Sequence, residues 1–341
     1  MMKRSLLFFV GVFLALCSCN KDVDLYADYR VVPVIYGLLD AKADTNYIKI
    51  TRSFYAQGDA TQIAMNPDSS NYPGRLDVRL AEFCNGEQTR EIIFDTITIS
   101  NKQPGVFYAP KQKLYYTAEK LRQNTANSKY DYQLTIRFPD QTIVSQTHLV
   151  GSGSFRVLSL AVNFSMEYFG TRRPLEFMPA TSASSYDVFM AFTFKEQRAP
   201  GLDSIPRTMS WKIGTYDEYF LSTHLEDDHY KVTYRPEEFY DMLRSFLGAD
   251  TTVPGLKRYI GDYPVEITVS AAGEELTQYI HYNSLDNNLV SGDNDFSLID
   301  GGYGVFSSRM TATRKVRLAG TTIPDLVSLN WGFKFIGGAK D

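Results

Sequence analysis

The sequence predicts a mainly β protein that folds as two β-sandwich-like domains. Short runs rich in Val, Ile, Tyr, Phe and Thr alternate apolar with polar residues along most of the chain, and this period of two is typical of half-buried strands. Aromatic residues make up 14% of the chain, mostly as 23 Tyr and 22 Phe, which strands favour. The pattern breaks most clearly at residues 151–154, Gly-Ser-Gly-Ser, so we place the domain boundary there.

Length and composition agree with two folded domains and argue against several protein classes. With 341 residues and about 150 residues per domain, the chain is long enough for two hydrophobic cores. The formal net charge is −4 and no dense block of Lys and Arg occurs, which argues against nucleic acid as a partner. Three cysteines are too few for a disulfide scaffold or a cysteine-rich metal site, and no cofactor is expected.

The first residues have the features of a bacterial lipoprotein signal peptide, which we place at residues 1–18. Two basic residues precede an apolar run at 6–16, which is shorter than the roughly 20 residues that a membrane-spanning helix needs. The run ends in a sequence that resembles a lipobox, with Leu16 and Ser18 before Cys19 as the lipidated residue. Acyl chains on Cys19 would hold the protein on outer-membrane lipid. The alternative is an ordinary secretory signal whose cysteines are incidental.

Residues 19–30 would then form an acylated tether between the membrane and the first strand. Lys21, Asp22 and Asp24 follow Cys19 closely, and this composition resembles the signal by which Bacteroidota-type bacteria display lipoproteins on the outer face of the outer membrane. We therefore expect a lipid-anchored protein exposed on the cell surface. A solvated linker without an export role is the alternative.

The N-terminal domain, residues 31–150, is predicted to be a sandwich of strands. Its strand 130–138 carries an aromatic or aliphatic residue at every second position, so one face should be buried and the other wet. In the second strand, Ile48, Ile50 and Phe54 are expected to share one face. The predicted strands are 31–39, 47–54, 76–83, 92–99, 130–138 and 142–150, with a short helical turn at 117–123.

The C-terminal domain, residues 155–341, is predicted to be β-rich with one amphipathic helix. The helix is Pro236–Leu247, because Pro suits a first helical turn, apolar residues recur at the spacing of one helix face, and Gly248 ends the pattern. We expect this helix to cover one face of a sheet. The predicted strands are 155–164, 187–195, 209–219, 230–234, 265–271, 279–282, 303–318 and 327–336.

Few residues form a pattern that indicates chemistry. His224 and His229 are five residues apart in a polar segment, which does not match the spacing of a helical zinc site. Asp286, Asp293 and Asp295 offer oxygen ligands for Ca²⁺, but they lack the order of an EF-hand loop, so a solvated loop is the default interpretation. No Gly-x-Ser-x-Gly motif occurs. No motif therefore supports an enzyme, and we expect a protein without enzymatic activity.

Two smaller features have structural interpretations. Cys84 would be the one internal thiol of the processed chain, and nothing near it in the sequence supplies a base, so we expect it in or beside a strand. Gly301, Gly302 and Gly304 precede a strand and lack the Lys-Ser/Thr of a phosphate-binding loop. They predict a tight bend.

Two clusters of aromatic residues are candidates for ligand or partner contacts. They are Tyr216, Tyr219 and Phe220, and Tyr234, Phe239 and Tyr240. Such rings stack on sugars or anchor protein interfaces. Strands use the same residues to cover their faces, and core packing is the favoured interpretation.

The order of these features resembles a family of Bacteroidota outer-membrane lipoproteins of unknown function, often encoded near SusC/SusD-type TonB-dependent transporters. The shared features are the lipobox, strands at 31–37, 47–52 and 130–136, and the glycine-rich residues 301–306, which are similar to a G-x-G-x-F segment of that family. The helix Pro236–Leu247 and the loop from Asp286 to Asp295 have no counterpart in the resemblance. The family implies an N-terminal immunoglobulin- or transthyretin-like sandwich and a β-rich second domain.

The resemblance implies a non-enzymatic accessory or binding subunit of a TonB-dependent nutrient uptake complex of the SusC/SusD type. The expected partners are the transporter or a SusD-like lipoprotein, together with a glycan or peptide ligand. One alternative is a fimbrillin-like pilus or adhesin subunit, for which Arg30 is a candidate cleavage site, although no clear donor strand precedes it. The other is a hydrolase whose site is assembled from loops.

Overall fold

A computed structural model describes residues 31–54, 59–158, 165–166, 171–285 and 297–336. The fold is mainly β, with 46% strand and 17% helix, which confirms the predicted fold class in its broad form. Several predictions lie outside the described residues and stay predictions: the signal peptide, the lipobox residues Leu16, Ser18 and Cys19, the tether at 19–30, and the acidic residues Asp286, Asp293 and Asp295.

Strands make up most of the regular structure of the described residues. In chain order they are β1 (Pro33–Leu39), β2 (Asn46–Arg52), β3 (Asp77–Cys84), β4 (Glu87–Ile93), β5 (Asp95–Ile99), β6 (Gln112–Thr117), β7 (Tyr130–Arg137), β8 (Thr142–His148), β9 (Arg173–Phe177), β10 (Ser185–Gln197), β11 (Ile205–Asp217), β12 (Leu225–Glu226), β13 (His229–Tyr234), β14 (Lys257–Ile260), β15 (Val265–Ala272), β16 (Tyr303–Val316) and β17 (Phe333–Phe335). The α-helices are α1 (Ala60–Ala64), α2 (Pro67–Ser70), α3 (Glu218–Ser222), α4 (Pro236–Leu247), α5 (Glu274–Leu285) and α6 (Thr322–Ser328), and a 3₁₀ helix covers Gly248–Thr252.

The strands form three sheets. The largest has ten strands in the order β17-β14-β10-β15-β16-β1-β2-β6-β5, with β11 paired to β10 beside this path. The four-stranded sheet β4-β3-β7-β8 shares a hydrophobic core with β1, β2 and β6. The three-stranded sheet β12-β13-β9 shares a second core with β10, β11 and β15.

β16 joins strands from the two halves of the chain. Its residues 303–308 pair in parallel with residues 34–39 of β1, and its residues 309–316 pair antiparallel with residues 265–272 of β15. Strands from both sides of residues 151–154 therefore belong to one sheet.

The buried apolar residues nevertheless divide into two cores. One core is built from residues within 35–149, with Ile299 and Phe306 added from the later part of the chain. The other is built from residues within 150–333. Each half of the chain thus encloses apolar side chains between the large sheet and one smaller sheet, and the division into two domains stays a prediction.

The predicted alternation of the second strand holds as far as the strand extends. Ile48 and Ile50 are buried in the core, as expected. β2 ends at Arg52, so the alternation stops before Phe54, and the prediction that Phe54 shares the core face is wrong. Phe54 instead lines a groove on the opposite face of the sheet.

The predicted amphipathic helix is confirmed from its first to its last residue as α4. Its Phe239 and Leu243 are fully buried, and the Phe239 ring lies 5.2 Å from that of Phe192 in β10 and 5.7 Å from that of Trp211 in β11. Gly248 has a positive φ of 53° where the helix ends. The helix therefore covers the sheet, as predicted.

Three predictions of element type are wrong. Residues 279–282 were expected in a strand but belong to α5, so the C-terminal half has a second twelve-residue helix. Residues 327–336 were expected in one strand, but they contain the end of α6 and only the short β17. The expected helical turn at 117–123 has no helical residue. In such short windows, apolar residues do not distinguish a period of two from a helical period.

The first predicted strand of the C-terminal half is described only over residues 155–158. These contain one isolated bridge, Val157 with Phe177, in place of a strand. The remaining predicted strands of this half each coincide with a described strand.

The glycine-rich residues 301–304 form the predicted tight bend at the start of β16. Gly304 has a φ of 110°, and a Cβ atom placed on it would lie 2.0 Å from the carbonyl oxygen of Ile35 in β1. Glycine is the residue that permits both this φ and this close approach. Cys84 is the last residue of β3 and is half-buried, which places it in a strand as expected.

Candidate functional site

An open groove lies on the face of β1, β2 and β6 that is opposite to the hydrophobic core. Its volume is about 520 Å³, within the range of roughly 300–1,000 Å³ that is usual for small-molecule sites. α2 and the loop at 100–111 form its other walls. Five of its sixteen lining residues are Lys or Arg, four are aromatic and none is acidic.

The alternation of the two central strands positions the floor of the groove. In β2, Ile48 and Ile50 enter the core, so Lys49 and Thr51 point to the other face. Tyr36 of β1 pairs directly with Lys49 in the antiparallel register. An aromatic ring and an ammonium group are therefore neighbours on the floor.

The aromatic side chains of the groove are partly open to solvent. They are Tyr36, Phe54, Phe107 and Tyr108. Phe54 and Phe107 meet edge to face with ring centroids 6.3 Å apart. The Tyr36 hydroxyl lies 3.1 Å from the Tyr279 hydroxyl of α5, which holds the Tyr36 ring at the side of the groove. Tyr36 and Phe107 are 41% and 48% exposed, so each presents a ring surface to a ligand.

The cationic side chains are Lys49, Arg52, Lys102, Lys111 and Lys113. Protein carbonyls orient several of them. Lys102 Nζ donates to the Tyr108 carbonyl at 2.7 Å, Arg52 Nη2 donates to the Asp68 carbonyl at 3.0 Å, and Lys113 donates to the Gly74 carbonyl. Neither Lys49 nor Lys111 forms a hydrogen bond or an ion pair with any described residue.

The electrostatic environment of the groove disfavours additional positive charge. Burial, together with the nearby charge of Lys102, lowers the pKa of Lys49 below its ordinary value. Burial also lowers the pKa of Lys113. Since no acidic residue lines the groove, an anionic ligand is the natural counter-charge for these ammonium groups.

Replacing Lys49 by methionine should raise the free energy of unfolding by about 0.5–1 kcal/mol, because the substitution removes a half-buried charge that is repelled by Lys102. Between the folded-state pKa of Lys49 and its unfolded value near 10.5, the unfolded chain binds more protons, so the wild type gains stability as the pH rises. The advantage of Lys49→Met should therefore shrink toward pH 10.5.

Denaturant unfolding at neutral and alkaline pH measures this difference. Lys315→Met is the matched control, because Lys315 is a strand lysine whose side chain is 70% exposed and lies outside the groove. A clear loss of stability in Lys49→Met would contradict the prediction.

A smaller cavity of about 250 Å³ lies between β7, β8 and α5. His148 Nδ1 is 2.6 Å from Asp131 Oδ1, and the two residues are direct cross-strand partners. Thr147 and Ser307 both donate to Glu275 Oε2, at 3.0 and 2.8 Å. Among the described residues, no Ser, Thr or Cys side chain forms a hydrogen bond with the His148 ring. Glu275 thus joins α5 to β8 and β16.

The histidines considered for metal binding lie apart from both cavities. His224 stacks on Phe220 with ring centroids 3.9 Å apart, and His229 lies 3.8 Å from Glu176. Across the described ranges, no group of three or more His, Cys, Asp or Glu side chains is placed to hold a metal ion.

The aromatic clusters considered as contact sites have different surroundings. Tyr234, Phe239 and Tyr240 are buried in the core, which confirms the packing interpretation for that cluster. In the other cluster Tyr216 is buried, whereas Tyr219 is 84% exposed. Neither cluster lines the groove.

Sequence reasoning missed the groove itself, although a signal for part of it was present. Residues 102–113 read Lys-Gln-Pro-Gly-Val-Phe-Tyr-Ala-Pro-Lys-Gln-Lys, in which three lysines flank two aromatic residues. Lysines beside aromatic residues offer a ligand both positive charge and ring surface, so this segment is a candidate binding loop. The contribution of β1 and β2 depends on the register of their pairing, which the sequence alone does not show.

No protein-family model matches the chain, and no curated protein matches it either. Within the described residues, none of the helices has both the length and the apolar character needed to cross a membrane.

Proposed function

We propose that this protein is an acylated outer-membrane lipoprotein, exposed on the cell surface, that serves as a non-enzymatic binding subunit of a TonB-dependent nutrient uptake complex of the SusC/SusD type. The observation that carries the binding role is the groove, since it presents exposed aromatic rings and unpaired ammonium groups. Ligand-binding sites combine aromatic surface with a few placed polar and charged groups in this way. The anchor and the transporter rest on the signal sequence and the family resemblance.

The position of the groove suits a subunit that works close to a membrane. Val34 of β1 lines the groove, and β1 is the first strand after the proposed tether. At no more than about 3.5 Å per residue, the chain from Cys19 to Val34 spans at most roughly 53 Å. An anchor at Cys19 would therefore keep the groove within that distance of the bilayer, where a transporter in the same membrane would be at high effective concentration.

The separate cores support the finer part of the proposed architecture. In this proposal, residues 31–150 form a sandwich of the immunoglobulin or transthyretin type and residues 155–341 form the second β-rich domain. β16 then belongs to both, because its first half pairs with β1 and its second half with β15.

The anchor predicts that Cys19→Ala releases the protein from membranes into the soluble fraction. Loss of the thioether removes the acyl chains, and each buried CH₂ contributes about 0.8 kcal/mol to membrane binding. Membrane partitioning and the mass of the processed N-terminus measure the effect. Cys84→Ala is the matched control and should stay in the membrane fraction. Unchanged partitioning of Cys19→Ala would contradict the anchor.

Affinity purification from detergent-solubilised outer membrane tests the partner. We expect a TonB-dependent transporter to be recovered in comparable amount to the protein, and its absence from the purified material would overturn the accessory role. Heat-resistant ladders of the protein and an N-terminus at Val31 would instead support the pilus alternative.

A further inference from the structure

We propose that the groove binds an acidic oligosaccharide, a chain of sugar rings that carry carboxylate or sulfate groups. The inference rests on the proposed binding function and names the ligand class of that site. It follows from the charge of the groove, the kind of cations, and the aromatic and neutral polar lining.

The charge of the groove opposes the charge of the whole chain. Five cations and no acidic residue line it, whereas the protein carries a formal charge of −4. A concave surface with one sign of charge concentrates ligands of the opposite sign. Lys49 and Lys111 have no hydrogen-bonding or ionic partner among the described residues, and the buried Nε of Arg52 has no hydrogen-bond partner there. Anionic groups of a ligand would supply partners for the two lysines.

The kind of cation in the groove indicates a ligand with several separate anionic groups and not a ligand with a single one. Four of the five are lysines, whose ammonium groups act as point charges on flexible stems. The single guanidinium, that of Arg52, already donates to the Asp68 carbonyl. A site for one carboxylate or phosphate more often uses the planar, bidentate face of a free arginine. Spaced lysines fit a ligand that repeats its charge along its length.

The remaining lining fits sugar rings. Tyr36 and Phe107 expose ring surfaces on which the C–H face of a sugar can pack. Thr51, Asn71 and Gln112 offer hydroxyl and amide groups that both donate and accept hydrogen bonds, as sugar hydroxyls require. A simple polyanion would use the lysines but would gain nothing from the rings.

An extended acidic peptide is the competing ligand class. β2 pairs with β6 only over residues 46–48, so the β2 residues that line the groove are paired with β1 alone. Peptides that bind to sheets usually add a strand where such backbone groups are free. The exposed rings favour the glycan, and a peptide polyanion is therefore one of the probes below.

Calorimetric titration of the full-length protein, purified in detergent, tests the inference. The acidic probes are tetragalacturonate, which carries carboxylates, and a heparin-derived tetrasaccharide, which carries sulfates. The matched neutral probe is methyl-esterified tetragalacturonate, which keeps the rings and loses the charge. Poly-L-glutamate and an oligothymidylate carry repeated negative charge on a peptide and on a nucleic acid.

We expect at least one acidic tetrasaccharide to bind at least about tenfold more tightly than the neutral ester, and to bind less tightly as salt is raised. Lys49→Met and Phe107→Ala should each weaken this binding about tenfold. Lys315→Met should not change it. The gain of stability expected for Lys49→Met ensures that its loss of binding does not reflect unfolding.

Three results would overturn the inference. The first is that the neutral ester and both acidic tetrasaccharides bind equally, or that none of the three binds. The second is that poly-L-glutamate or oligothymidylate binds more tightly than the acidic tetrasaccharides. The third is that neither Lys49→Met nor Phe107→Ala changes the affinity for the acidic tetrasaccharide. Recovery of the transporter is measured separately, so a failed titration with a recovered transporter would reject the ligand class and leave the proposed function standing. A successful titration without recovery of the transporter would support the ligand class and reject the accessory role.

Discussion

Replacing Glu82 by leucine should lower the free energy of unfolding by about 3–5 kcal/mol, as expected when one partner of a buried ionic cluster is removed. Glu82 is fully buried in β3. It accepts hydrogen bonds of 2.8 Å from Arg90 Nη2, the Tyr132 hydroxyl and Thr89 Oγ1, and Arg122 lies 3.4 Å from it. Leucine would leave these donors facing an apolar side chain.

The pH dependence of Glu82→Leu gives an independent check. Burial by itself would raise the pKa of Glu82, but the hydrogen bonds from Arg90, Tyr132 and Thr89 outweigh it and hold the pKa below its ordinary value. The cluster therefore stabilises the fold fully above the unfolded pKa near 4.5, and this contribution is lost as the pH falls through the folded-state value. The difference between wild type and Glu82→Leu should shrink in acid.

Tyr132→Phe is the control, because it removes one donor and keeps the charge and the ring. It should cost about 1–2 kcal/mol in the same denaturant titrations. If Glu82→Leu were no less stable than Tyr132→Phe, the cluster would not be a main stabilising feature of the N-terminal core.

Glu82 also shows which structural features can be predicted from the sequence and which cannot. Val78, Leu80 and Glu82 alternate in β3, so the period of two places the carboxylate on the core face beside apolar residues. That a charge is buried can therefore be inferred from the sequence. Its partners cannot, since Arg90 lies on the next strand and Tyr132 on a strand far along the chain.

The same distinction explains the successes and the errors in the fold. Strands with clear alternation, such as β7, and the helix α4 with its start and stop residues were predicted, because their signals are local. α5 was missed because Tyr279 and Ile280 lie among polar residues in a pattern that suits either period. The joining role of β16 depends on two different neighbours and leaves no local signal.

The groove was missed for a related reason. Its Lys102 and Phe107 belong to a loop, and its Tyr36 and Lys49 become neighbours only through the register of β1 and β2. Each residue taken alone fits an ordinary exposed position. The site exists because strand pairing and the loop bring five positive charges to one surface, a property of the fold and not of any short stretch of sequence.

Replacing Gly304 by alanine should lower the free energy of unfolding by about 3 kcal/mol or more, through backbone strain and a steric clash together. The φ of Gly304 is 110°, and the added Cβ would lie 2.0 Å from the Ile35 carbonyl oxygen. Because Ile35 and Gly304 are direct partners in the parallel pairing, relief of the clash requires β16 to move away from β1. That movement would loosen the strand that joins the two cores.

Gly86→Ala separates the two causes. Gly86 lies in the turn between β3 and β4 with a φ of 90°, and its added Cβ would have no atom within 4 Å. It should therefore cost only the strain of the positive φ, about 1 kcal/mol. Hydrogen exchange should show faster opening of the β1 amides in Gly304→Ala and not in Gly86→Ala. Equal losses of stability in the two variants would mean that β1 and β16 tolerate a wider separation. Gly304 would then be needed only for the positive φ of the bend.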